Sequence, residues 1–272
     1  MKAAYNLSVV VVLLMAVQAV SGLAFPELYR DEGFVRDTWF GNDWITLVLG
    51  VPLLGAALLL ERRGSVRGRL LWFGALGYSL YNYAFYLLGA TLNPFFPLYV
   101  LLSVLSVVAL ILALTHTTVS EVAARFSART PVRLIGGYLV FVAFGLTSMW
   151  LVTWALHVFG GQPTPVAPEA FRLVAALDLA VTVPALAAGG WLLWRQNAWG
   201  YVIAVIVGVK SSLYLLLLSL NSLFFIQRGL AEAPGELPMW GSLALATCAA
   251  TALLLVNVQG QGQGQWNRSV KS

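Results

Sequence analysis

Long apolar runs separated by short polar turns occupy nearly the whole chain. The first, residues 1–24 (MKAAYNLSVVVVLLMAVQAVSGLA), has a charged start and an apolar middle. A cleaved signal peptide shares that pattern, but the length of the run favours an uncleaved first span. Seven more runs follow at about 44–60, 70–92, 96–115, 133–159, 171–194, 199–226 and 238–257. Each approaches the roughly twenty apolar residues that a helix needs to cross a bilayer. Between the third and fourth spans lies LNPFFP, where two prolines and an asparagine end one helix and start another. The expected fold class is therefore an all-α membrane protein of eight transmembrane helices.

Composition agrees: of 272 residues, 60% are hydrophobic and only 10% charged, far from soluble globular usage. The net charge of +5 does not point to nucleic acid, because the basic residues sit in short loops between apolar runs. The lipid bilayer is the expected partner, with a small-molecule ligand beside it. Protein partners are not indicated. A single cysteine, Cys248, excludes an intrachain disulfide.

The charges also set an orientation. With eight spans, one side receives Lys2, Arg62, Arg63, Arg67, Arg69, Arg125, Arg129, Arg133, Arg195, Arg268 and Lys271, the other only Arg30, Arg36, Arg172 and Arg228. The acids lean the opposite way, with Glu27, Asp31, Glu32, Asp37, Asp43, Glu169, Glu232 and Glu236 on the base-poor side. The positive-inside rule places both termini in the cytoplasm. Trp39, Trp44, Trp150, Trp154 and Trp240 fall near the outer boundary and Trp72, Trp191, Trp194 and Trp199 near the inner one, as an aromatic belt would.

The two halves resemble each other. Setting NYAFYLLGATLNPFF (82–96) on KSSLYLLLLSLNSLF (210–224) matches Tyr86 with Tyr214, Asn93 with Asn221 and Phe96 with Phe224. One span earlier, VPLLGAALLLER (51–62) resembles VPALAAGGWLLWR (183–195); one span later, Pro97 and Pro238 open the last helix of each half. Leucine matches mean little in apolar sequence, so the matched Asn, Tyr and Pro carry the argument. Four spans per half give a parallel repeat about an axis along the membrane normal. The expected organisation is a first four-helix repeat (1–115), a cytoplasmic linker (116–132), a second repeat (133–257) and a disordered low-complexity tail (258–272).

One stretch demands an explanation. WGYVIAVIVGVKSSLYLLLLSLNSLFFIQ (199–227) is long enough to span a bilayer, yet Lys210 stands near its middle. An ionisable group is costly there unless it is paired or faces a cavity. Asp178, on the preceding span, falls at a similar depth by residue count, so a direct Asp178–Lys210 ion pair is the expected compensation. Asn82 is the repeat counterpart of Lys210, with Tyr78, Tyr83 and Tyr86 around it; Ser211, Ser212 and Tyr214 follow Lys210. Lys210, Asp178, Asn82, Tyr83, Tyr86, Ser211 and Tyr214 are thus the candidate ligand-binding residues, in one pocket reached from outside past Asn93, Asn221 and Asp43. Against this stands a purely structural role, in which the charges fix helix register and the other groups bond between helices.

Other features are weaker. His116 and His157 fall at opposite membrane faces and cannot share a metal. Pro52 and Pro184 are expected to kink their helices, and Gly189 and Gly190 to allow close packing. The segment 116–132 reads as a solvated linker or a short interfacial helix. The segment 25–43 reads as an acidic, aromatic outer loop. No metal, phosphate-binding or nucleophile motif is found, so no catalytic residues, metal ligands or cofactor are assigned and an enzyme is not favoured.

GNDWITLVLGVPLL, GALGYSLYNYAFYLLGATLNPFFPLYV and LDLAVTVPALAAGGWLLWRQNAWGYVIAVIVGVK resemble segments of a family of uncharacterised bacterial multi-pass inner-membrane proteins. The resemblance covers most of the chain and implies a bacterial inner-membrane location. It brings no activity. The functional expectation is an integral membrane protein that binds, and carries, a small polar or amphiphilic molecule through an outward-facing intramembrane pocket. A non-transporting scaffold or sensor is the alternative.

Overall fold

In the computed structural model, residues 1–229 and 234–259 are described. These residues form eleven α-helices: α1 (Lys2–Ala24), α2 (Gly33–Ile45), α3 (Val51–Arg62), α4 (Val66–Gly89), α5 (Phe96–Thr115), α6 (Val119–Ala123), α7 (Val132–Gly160), α8 (Pro168–Leu177), α9 (Val183–Trp194), α10 (Ala198–Gln227) and α11 (Leu237–Val256). A stretch of π-helix, Thr46–Gly50, joins α2 to α3, and a second, Asp178–Thr182, joins α8 to α9. Each lies immediately before a Val-Pro pair, Val51-Pro52 and Val183-Pro184. Proline has no N–H and its ring crowds the preceding turn, so local widening of the helix there has a direct cause.

Among the described residues, seven helical stretches are long and apolar enough to cross a membrane: Lys2–Ala24, Val35–Arg62, Phe96–Thr115, Val132–Gly160, Pro168–Trp194, Ala198–Gln227 and Leu237–Val256. They give the chain the character of a multi-pass membrane protein. The outward surface agrees, since Leu134, Phe141, Phe144 and Phe159 of α7 are each at least 70% exposed, a face suited to lipid rather than water. Helix α4 is the exception among the long helices. Its 24 residues would extend about 36 Å at about 1.5 Å each, but it carries Tyr78, Tyr81, Asn82, Tyr83 and Tyr86, all buried. Its neighbours, not lipid, receive these groups.

The first half packs α1 against α2, α3 and α5, while α3 and α5 flank α4. In the second half α7 packs on α9, while α9 and α11 flank α10. Helices α4 and α10 join the halves, with α10 also meeting α2 and α4 meeting α8. Glycines permit the close approaches: a Cβ on Gly74 would overlap Val209, and Gly136 and Gly190 set the backbones of α7 and α9 against each other.

Several expectations change. The segment 25–43 is not mainly a loop: Gly33–Ile45 is helical and continuous with the span that follows. Trp39 and Trp72 are not belt residues but core, 1% and 0% exposed. Trp72 is held by its indole N–H donating to Ser8 Oγ at 2.8 Å. Trp191, Trp194 and Trp199 do face outward. The segment 116–132 is more than a linker, because α6 packs on α10 and both Val122 and Phe126 are buried. Val258 and Gln259 are also held. Arg67 donates to the carbonyls of Val256 and Val258, and Gln259 N–H donates to Arg125 O. The rest of the expected tail, 260–272, lies outside the described residues.

Candidate functional site

The buried charged residues gather two polar clusters on opposite sides of α4, not one pocket. Tyr81 differs by two and five positions from Tyr83 and Tyr86, which turns it roughly 140–160° away from them around the helix.

The first cluster is built on Asp43 in α2, 0% exposed. Tyr29 from the α1–α2 turn donates to its Oδ2 at 2.6 Å, Tyr86 from α4 to its Oδ1 at 2.8 Å, and Gln18 Nε2 from α1 to Oδ1 at 3.1 Å. Gln18 also donates to the Tyr29 hydroxyl and accepts from Tyr83. Tyr86 stacks on Tyr29, Tyr83 and Tyr99 and against Trp39. Burial and the adjacent Asp43 carboxylate push the Tyr29 phenol well up, so it remains protonated. No cation pairs with Asp43 among the described residues.

The second cluster is built on Asp178 and Lys210, 4% and 5% exposed. The direct ion pair expected from the sequence is not formed. Lys210 Nζ donates instead to Thr182 Oγ1 at 2.7 Å and lies over the rings of Tyr81 and Tyr214, 3.4 and 5.0 Å from their centroids. Asp178 accepts from Tyr81 at 2.7 Å and from the Trp150 indole at 3.1 Å. Tyr81 therefore connects the two charges: its ring faces the ammonium and its hydroxyl the carboxylate. The π-helical segment places Asp178 at its first residue and Thr182 at its last, both buried in the bundle.

The remaining sequence candidates lie between or beside these clusters. Asn82 Nδ2 reaches Thr46 Oγ1 at 3.4 Å, and Thr46 also bonds Tyr78 at 2.9 Å. The Asn82 carboxamide oxygen and Ser211 Oγ have no hydrogen-bond partner. The matched asparagines differ in role. Asn93 caps the α4–α5 turn by accepting from Phe95 N–H, whereas the Asn221 side chain fills the space a Cβ on Gly41 would need. Lys210, Asp178, Tyr81 and Tyr214 thus come together, Tyr83 and Tyr86 join Asp43, and Asn82 joins neither charged cluster directly.

Gln18, Tyr29, Tyr81 and Thr182 are not among the residues the sequence points to, and Trp150, expected in the outer aromatic belt, instead donates to Asp178. Gln18 carried the same signal as Lys210, a strongly polar side chain inside an apolar run.

An open cleft of about 380 Å³ lies at the Asp43 end of the bundle, lined by Gly22, Pro26, Glu27, Tyr29, Arg36, Asp37, Phe40 and Arg228. It straddles the two halves, since Arg228 at the end of α10 pairs with Asp37 of α2 and Phe224 packs on Phe40. Its inner wall is Gly22 and Tyr29. A Cβ on Gly22 would overlap both the Asp43 carboxylate and the Tyr29 hydroxyl, so this lining residue of the cleft packs directly on the Asp43 cluster. Arg36 is exposed and has no ion-pair partner among the described residues. The cleft offers aromatic surface, two guanidinium groups and two carboxylates at its rim. No family model, curated protein or solved structure matches the chain, so this geometry alone carries the functional reading.

Proposed function

We propose that the protein binds, and carries across the bilayer, a small polar or amphiphilic molecule that enters at the cleft between the α1–α2 turn and the end of α10. The observation that carries this reading is the cleft itself: it is open, spans both halves and ends against Gly22 and Tyr29 in front of a buried carboxylate. Arg36 suits an acidic group on the ligand, and Phe40 and Tyr29 suit its apolar part. The setting is the bacterial inner membrane that the sequence resemblance implies.

The same reading takes α4 as an eighth span and the chain as two parallel four-helix repeats, both termini cytoplasmic. Support comes from the two π-helical segments, each directly before Val-Pro in the second long helix of its half. The reciprocal packing of α10 on α2 and of α4 on α8 also fits a two-fold relation. On this reading a carried molecule meets the candidate residues as two separate groups, Tyr83 and Tyr86 on the Asp43 side of α4 and Lys210, Asp178 and Tyr214 on the other, with Asn82 and Ser211 supplying unpartnered polar atoms.

A scaffold or sensor is favoured by one observation: Asp178 and Lys210 are both hydrogen-bonded and buried within the bundle. A thermal-shift panel of small polar and amphiphilic compounds separates the readings. Binding in the cleft requires a stabilising compound whose effect Arg36→Glu abolishes. A panel without such a compound favours the scaffold.

A further inference from the structure

Asp43 and Asp178 are both buried carboxylates, but their charges are met differently. Asp178 has Lys210 across the Tyr81 ring. Around Asp43 every neighbour that touches the carboxylate is a neutral donor. From the α1–α2 turn there is Tyr29, from α1 Gln18, and from α4 Tyr86 with Tyr83 and Tyr78 nearby. Tyr99 of α5 stacks behind Tyr86. From α10, Arg228 is engaged with Asp37; Asp31 of the α1–α2 turn accepts from the Trp39 indole and Thr91 N–H, and Glu27 and Arg36 line the cleft rim. A lone charge in a low-dielectric interior is expensive and is relieved when the group takes a proton.

We propose that Asp43 is a proton-binding site that exchanges with the cleft through the Tyr29 hydroxyl. The geometry serves both protonation states. With Asp43 ionised, Tyr29 donates to Oδ2 and accepts from Gln18. With Asp43 protonated, its O–H donates to the Tyr29 oxygen, and the freely rotating phenolic hydrogen turns away. The Tyr29 oxygen sits against Gly22, and these two buried residues both line the cleft. In uptake, a hydronium ion in the cleft gives a proton to the Tyr29 oxygen while the phenolic proton passes to Oδ2. One O–H bond of Tyr29 is replaced by another, hydronium becomes water, and the carboxylate becomes a carboxylic acid. The proton is then the coupling ion for the molecule held in the cleft, a step that rests on the cleft reading; the exchange itself does not.

Infrared difference spectroscopy of the full chain in nanodiscs, stepped through pH, reads the carboxylic C=O band directly. Wild type should show a buried carboxyl band that titrates, that Asp43→Asn lacks and that Asp178→Asn keeps. Tyr29→Phe retains the carboxyl but not the relay, so the band should persist while its appearance after a pH jump slows on the order of 10²-fold. A band unchanged in Asp43→Asn, no titrating band at any pH, or an unaltered rate in Tyr29→Phe would overturn the site. If Asp43→Asn fails to fold, the Tyr29→Phe rate decides. A titrating band that a cleft-bound compound leaves unmoved would remove the coupling and keep the proton site. Failure of every compound to bind would remove the cleft reading alone.

Discussion

The ammonium of Lys210 lies 3.4 Å from the centroid of the Tyr81 ring, and the hydroxyl of that ring donates to Asp178 at 2.7 Å. The lysine is thus held by a π face and a threonine hydroxyl, with the carboxylate one residue removed. Such an arrangement spreads the compensation of two buried charges over three helices, α4, α10 and the span containing Asp178.

Tyr81→Phe keeps the ring under Lys210 but leaves Asp178 with only Trp150. The expected loss is about 1–3 kcal/mol, the cost of orphaning a buried group. Tyr81→Leu removes the ring as well and should lose about 1–2 kcal/mol more. Unfolding in denaturing detergent measures both. Equal stabilities for the two variants would mean that the ring face contributes nothing.

Gly22 is required by contact rather than by backbone angle. Gly22→Ala places a methyl group on Asp43 and Tyr29 and should destabilise by about 1–3 kcal/mol. Gly55, whose Cβ would meet nothing within 4 Å, is the matched control; Gly55→Ala should be neutral or stabilising by about 0.5–1 kcal/mol. The same unfolding assay compares them.

The ion pair between Arg228 and Asp37 closes one side of the cleft from a half-exposed position. Arg228→Ala should cost less than about 1 kcal/mol in stability. It should nevertheless change the affinity of any cleft-bound compound, which titration calorimetry reads. A large stability loss with unchanged affinity would make the pair a structural clamp.

An eighth span is tested by labelling. If α4 crosses the bilayer, Gly64→Cys and Thr91→Cys, at its two ends, must react with an impermeant maleimide from opposite sides. A Cys248→Ala background removes the native thiol. Labelling of both from one side would contradict the eight-span topology and, with it, the parallel repeat.

The long helices were legible because apolar runs of membrane length have few other readings, and LNPFFP marked the α4–α5 break through its prolines. Helix α2 was not legible. Its charged and polar positions look like a loop until Trp39 and Asp43 are seen packed against α1 and α4. The clusters were half legible: Lys210 and Asp178 stood out as charges in apolar runs. Their separation by Tyr81 depends on helix rotation and on the π-helical segment, which residue counting at a uniform 3.6 per turn does not capture. Tyr29 was hidden by its place in a turn, where a tyrosine ordinarily needs no explanation.

The cleft reading is tested most directly by native mass spectrometry of gently solubilised protein, wild type beside Arg36→Glu and Arg63→Glu. Wild type and Arg63→Glu should retain a small molecule that Arg36→Glu has lost, its mass giving the ligand's chemical class. A wild type that carries nothing, or a molecule retained equally by all three, would contradict binding in the cleft.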